Sequence, residues 1–132
     1  MSYGAAAALQ TAVFERLRAS ADLAGVEVRD AVPHGGGQGT WVLLGPEETR
    51  DASDATGGGA EHRLSISVIS DAAGFLGAKR IAQAVSDTLV DADLALSRGR
   101  LVSLIFIRAM ARRPGNGGMR RIDMTFRARI ED

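Results

Sequence analysis

The sequence has 132 residues, 45% of them hydrophobic and 24% charged, and its 16 basic residues balance its 16 acidic ones. This length and composition are typical of one soluble globular domain, so we predict a single domain over residues 1–132. The balanced charge gives no overall attraction to nucleic acid or to an anionic membrane. The absence of cysteine excludes a disulfide framework, a zinc–thiolate site and a cysteine nucleophile.

The N-terminal residues 1–5 carry neither the basic nor the apolar segment of a secretory signal. No apolar run approaches the ~20 residues that a membrane-spanning helix needs. We therefore expect a protein that is made and used in a cytoplasm, without a membrane partner.

The first half of the chain shows one helical pattern and then two short strand patterns. Apolar residues recur at three- and four-residue steps over residues 4–19, which predicts an amphipathic helix. Alternation at residues 26–29 predicts a short strand, and β-favouring residues at 40–44 predict a second one. The polar stretch at about 45–60, which contains Pro46 and a run of glycines, predicts a mobile surface loop.

The second half predicts a strand, a helix and a long hairpin. Residues 61–70 alternate as a strand, and residues 77–89 carry a narrow apolar stripe of mostly small side chains. Residues 101–110 and 119–130 predict the two hairpin strands, joined by a glycine-rich tip at about 111–119. The order α-β-β-β-α-β-β predicts an α/β fold of the α+β type. We expect a mixed or antiparallel sheet with both helices on one face.

The sequence offers no catalytic or metal-binding pattern. His34 and His62 lack the HxxxH or HxH spacing that gives a metal two ligands, so we expect both at surface or loop positions. The glycine clusters do not lead into helices, as a phosphate-binding loop does. A Ser-His-Asp triad can form from distant residues, but no GxSxG motif is present. We predict a non-enzymatic protein without catalytic residues, cofactor or metal.

Arginines concentrate around the predicted hairpin tip. Five of them flank it: Arg108, Arg112, Arg113, Arg120 and Arg121. Such residues can keep a sheet edge soluble and discourage edge-to-edge pairing. Alternatively they form a docking element, because arginine favours bidentate contacts to carboxylates and phosphates. The partner surface would be acidic residues of a neighbouring copy, such as Glu47 and Glu48, or DNA. No aromatic residue lies between Phe106 and Phe126 to support base stacking.

Four short segments, at residues 59–64, 78–82, 100–104 and 126–128, follow one another in an order that resembles a family of small tail-completion proteins. That family occurs in siphophage-like tail modules and in the gene transfer agents of alphaproteobacteria. The resemblance covers nearly the whole chain, from the N-terminal helix to the last strand. It lies in the order of the segments, none of which is catalytic.

The resemblance implies a tail terminator with an α/β sheet flanked by helices. Such proteins form a homohexameric ring on the last ring of tail-tube protein, stop its polymerisation and present a surface to the head-side connector, or stopper. DNA would pass through the lumen without sequence-specific binding. The implied location is the head–tail junction of a virion or gene-transfer-agent particle that is assembled in bacterial cytoplasm.

Two other functions stay open at this point. A neighbouring head–tail connector, either a stopper or an adaptor, fits the same resemblance. A small nucleic-acid-binding module could use the arginine hairpin, although neutral net charge and few aromatic residues count against it.

Overall fold

The computed structural model describes residues 3–33, 37–55, 57–114 and 119–132. Its elements are α1 (Ala6–Ala19), a short 3₁₀ helix (Ala21–Leu23), β1 (Glu27–Arg29), β2 (Thr40–Asp51), β3 (Gly59–Ser70), α2 (Leu76–Leu89), β4 (Arg100–Arg112) and β5 (Arg120–Glu131). The predicted order of helices and strands is confirmed. His34 and residues 115–118 of the predicted hairpin tip lie outside the described residues.

The five strands form one mixed sheet in the order β1-β2-β3-β5-β4. β1 pairs parallel with β2, whereas the β2–β3, β3–β5 and β4–β5 pairs are antiparallel. The long hairpin predicted at the C-terminal end of the sequence is therefore β4 and β5. This arrangement places β1 and β4 at opposite edges of the sheet.

One face of the sheet carries the main core, because alternating apolar residues of adjacent strands fall into register. Leu64 of β3 lies opposite Phe126 of β5, and Ile66 lies opposite Met124. Both helices contribute buried side chains to the same cluster, including Leu9 of α1. The prediction of two helices on one face is confirmed, and we call this side the helix face. Each large apolar side chain buried there contributes about 1.5–3 kcal/mol to stability.

The opposite side, which we call the open face, is mostly polar. Its apolar part is a small cluster made by Trp41 and Leu43 of β2 and Ile69 of β3, with Met119 packed against them. An antiparallel sheet tolerates such a solvated face because its crossovers do not need helices on both sides.

The predicted loop at about 45–60 is wrong in its first part, because β2 continues to Asp51. A register shift between Leu44 and Glu47 absorbs the two residues Gly45 and Pro46 that looked like a strand end. Proline and glycine are tolerated at a bulge, where the ladder of hydrogen bonds is already interrupted. The connection between the two strands is thereby reduced to residues 52–58.

Candidate functional site

Two of the five predicted arginines form an ion network on the open face. Arg112 and Arg121 lie directly opposite each other across the β4–β5 hairpin. Both contact the carboxylate of Asp123: Arg112 Nε donates to Oδ2 at 2.7 Å and Arg121 Nη2 donates to Oδ1 at 3.2 Å. Ser67 Oγ on β3 donates to the same Oδ1 at 2.6 Å. These two arginines are therefore partly neutralised within the chain.

Asp123 is held in its charged form by this network. Burial raises the pKa of its carboxyl, but the hydrogen bonds from Ser67 and Arg112 and the charges of Arg121 and Arg112 outweigh burial, so the pKa lies below its ordinary value. A charge-assisted pair of this kind holds side-chain geometry more firmly than a pair in full solvent. The network joins β3 to both strands of the hairpin.

Arg120 has a different role because strand alternation turns it away from Arg121. Its Nη1 donates to the carbonyl oxygen of Ala72 at 2.8 Å. Its guanidinium carbon lies 5.4 Å from the ring centroid of Phe75, which immediately precedes α2. A cation over an aromatic face is attracted by the ring quadrupole. Arg120 thus connects the segment that leads into α2 to the start of β5.

The remaining two arginines, Arg108 and Arg113, are exposed. In the part of the chain that the structure describes, neither takes part in a hydrogen bond, an ion pair or a ring contact. Arg108 lies opposite Thr125 at a register shift in β4. Of the predicted cluster, these are the arginines whose charge the described residues leave available to a partner.

The two predicted acidic residues also separate. Glu48 is exposed and its Oε1 accepts a hydrogen bond from Arg50 Nε at 2.6 Å. Glu47 is turned toward the sheet interior, and its Oε1 lies 3.0 Å from Nδ1 of His62. Thr49 Oγ1 lies 3.1 Å from the same ring nitrogen.

The expectation that His62 is a surface or loop residue is wrong, because its side chain is 0% exposed. His62 has the same parity on β3 as the core residues Leu64 and Ile66, so strand alternation carries it to the helix face. The even spacing of His62 from Leu64 and Ile66 was therefore the sequence signal for its burial. Its other nitrogen, Nε2, is buried without a hydrogen-bond partner among the described residues.

The structure places the predicted acids and arginines on different strands: the glutamates on β2, Arg120 and Arg121 on β5, and Arg108 and Arg112 on β4. β4 and β2 are separated by β5 and β3. Three strand spacings correspond to roughly 14 Å. Hence the arginines of β4 and the glutamates of β2 lie toward opposite edges of the sheet.

The β4 edge carries exposed apolar side chains that the sequence analysis did not single out. Val102, Phe106 and Met110 are 43%, 44% and 48% exposed. Phe106 faces the helix side and makes an edge-on contact with the fully buried Phe126, with ring centroids 5.9 Å apart. The signal in the sequence was that β4 has apolar residues at consecutive positions. A strand with one solvated face would alternate apolar and polar residues.

A small apolar cavity of about 20 Å³, enough for one water molecule, lies toward the other edge, between α1 and the register shift of β2. Its lining includes Val13, Leu44, Leu64 and Ile66, with Glu47 and Gly45 at the same site. The cavity lies on the helix face.

Within the described ranges, no group of three or more His, Asp or Glu side chains is placed to hold a metal ion. The same part of the chain contains no helix that is long and apolar enough to cross a membrane.

One protein-family model matches most of the chain. Residues 11–131 match the model of the family described as Tail completion protein gp17. This match covers well over half of the chain, and the chain belongs to that family. The resemblance found in the sequence is confirmed.

A solved structure is similar to this chain over its whole length. The chain is similar, with 60% sequence identity and a TM-score of 0.91, to a chain in the virion of a native gene transfer agent particle. The alignment covers 99% of this chain and 100% of that chain. No curated protein shows significant similarity to the sequence.

Proposed function

We propose that this chain is a structural, non-enzymatic tail terminator of a gene-transfer-agent or phage-like particle. It forms a ring on the head-proximal end of the tail tube, stops further addition of tube protein and joins the tube to the head-side connector. DNA passes through the lumen of the ring without sequence-specific contacts. The observation that carries the proposal is the full-length match, at 60% identity, to a chain of a gene-transfer-agent virion.

The charge distribution supports assembly with proteins over binding of free nucleic acid. Asp123 offsets part of the charge of Arg112 and Arg121. Arg120 is engaged with Ala72 and Phe75. A nucleic-acid-binding surface instead needs several lysines or arginines free to replace counterions along the phosphate backbone.

Deletion of the gene in a producing strain tests the proposal. We expect tails that grow beyond their normal length and do not join heads. Tails of normal length that join heads normally would contradict a terminator role. Tails of normal length that stay separate from heads would instead identify the chain as a stopper or adaptor.

A further inference from the structure

As far as the structure describes the chain, both edges of the sheet have strand segments without a neighbour on their outer side. β4 is the last strand in the sheet, and within the described residues no strand pairs with its outer side. At the other edge, β1 covers only the first part of β2, where it pairs with Trp41, Val42 and Leu43. From Leu44 to Asp51 the outer side of β2 also has no strand beside it in the described part of the chain.

From these edges we infer that β4 of one copy of this chain docks along the uncovered part of β2, Leu44–Asp51, of a second copy. The inference rests on the proposed function, since a ring requires each copy to contact the next. β4 runs antiparallel to β5, and β5 runs in the same direction as β2 because both are antiparallel to β3. Copies standing side by side in one orientation would therefore set β4 antiparallel to the neighbouring β2. Two different surfaces then meet at every contact, which allows a ring to close.

The charges of the two edges are complementary. The β4 edge carries Arg108, with Arg113 just beyond the strand, and the sequence has no acid from residue 94 to residue 122. Two further arginines of β4, Arg100 and Arg112, pair with acids of β5. The uncovered part of β2 contains Glu47, Glu48 and Asp51, with Arg50 as its one cation. Glu47 faces His62 and Glu48 pairs with Arg50, and the strand keeps a net negative charge. Docking would bring Arg108, which has no partner in the described part of its own chain, beside an acidic strand. Opposite charges facing each other across a strand pair stabilise it, and like charges destabilise it.

Docking would also cover an exposed aromatic side chain of β4. Phe106 stands out on the helix face of β4, 44% exposed. On the neighbouring copy, Leu44 begins the uncovered part of β2, faces the same side and is only partly buried. An antiparallel pairing that sets Arg108 beside Glu48 on the open face places Phe106 beside Thr49 on the helix face, where the neighbouring copy would cover it. A buried aromatic anchor surrounded by polar contacts is the usual arrangement of energetically important residues in interfaces.

Each edge also limits pairing with other strands. β4 has register shifts after Leu101 and after Phe106, and β2 has one after Leu44. Bulges and edge arginines disfavour indiscriminate edge-to-edge aggregation. The arginines on β4 therefore repel a second β4 edge but accept the acidic β2 edge.

Cysteine cross-linking in purified particles tests this inference. The wild-type chain has no cysteine, so engineered thiols are the only ones in the chain. The variant carries Arg108→Cys on β4 together with Glu48→Cys on β2. Both residues are exposed and lie on the open face, and a short bismaleimide reagent tolerates a small offset in register. We expect covalent products larger than a dimer from the double variant and none from either single variant.

Three results would overturn the inference. A dimer from either single variant would mean that an edge meets itself. No cross-link in particles that contain the chain would exclude this interface but leave the tail role intact. Absence of the wild-type chain from particles would overturn both the interface and the proposed function. The variant Phe106→Ser provides a second test, in which incorporation of the chain into particles should fall severalfold. The control Leu76→Ser, at a residue of α2 that is 62% exposed, should leave incorporation unchanged.

Discussion

His62 Nδ1 lies 3.0 Å from Glu47 Oε1, in a position where the histidine ring is entirely shielded from solvent. The pair connects β2 to β3 just past the bulge that shifts the register of β2. A buried polar group without its partner costs the free energy of its lost hydration, so this contact has consequences for stability.

Replacing Glu47 by Ala should destabilise the fold by about 1–3 kcal/mol, because the buried imidazole loses one of its two hydrogen-bonding neighbours. Glu48→Ala is the matched control at the next position. Its carboxylate bonds Arg50 in solvent, and exposed pairs contribute little. Urea unfolding of both variants measures the difference. Equal losses of stability would show that the Glu47–His62 contact is unimportant.

Asp123 should make stability depend on pH. Its pKa is lowered in the folded chain, so its contribution is complete above the unfolded pKa of about 4 and is lost as pH falls through the folded value. Asp123→Asn should lower the free energy of unfolding at neutral pH by about 1–2 kcal/mol and reduce the loss on acidification. Urea unfolding between neutral and acidic pH measures both. A variant with the same pH dependence as wild type would show that the Ser67 and Arg112 contacts do not stabilise the carboxylate.

Arg120 and Arg113 should respond differently to substitution although both flank the same hairpin. Arg120→Ala removes the hydrogen bond to Ala72 and the contact with Phe75, which together should cost about 1–2 kcal/mol. Arg113→Ala should leave stability almost unchanged, since Arg113 is exposed and has no partner in the described part of the chain. Thermal unfolding compares the two. A larger effect at Arg113 would reverse the assignment of these residues.

Gly99 should tolerate alanine poorly. Its φ is +78°, and an added Cβ would lie 2.9 Å from Ile130 Cγ2, a methyl group of a buried core residue. Gly25, with φ of +80° and open space around it, is the matched control. Both substitutions carry the left-handed backbone cost of about 1–2 kcal/mol, and Gly99→Ala adds overpacking of about 1–3 kcal/mol. Similar unfolding midpoints for the two variants would contradict the predicted crowding.

The order of helices and strands could be predicted from the sequence because apolar residues recur along each long element with the period of a helix or of a strand. Strict alternation from Ile122 to Ile130 indicated β5, and all five of its apolar residues are buried. The length of β2 could not be predicted in this way. Gly45 and Pro46 are typical of a strand end, and only pairing with β3 shows that a bulge accommodates them.

The candidate site was less predictable because it depends on register between strands. The sequence gives five arginines near a turn but does not say that Arg112 and Arg121 share Asp123. That arrangement depends on the register of the β4–β5 pairing, and two bulges in β4 change this register. Glu47 and Glu48 looked equivalent in sequence, and strand alternation sends one inward and the other to solvent.

Electron cryo-microscopy of purified particles would locate the chain itself. We expect its density as a closed ring between the last tail-tube ring and the head-side connector. Density for the chain elsewhere in the particle, or particles in which the chain is absent from the head–tail junction, would contradict this expectation.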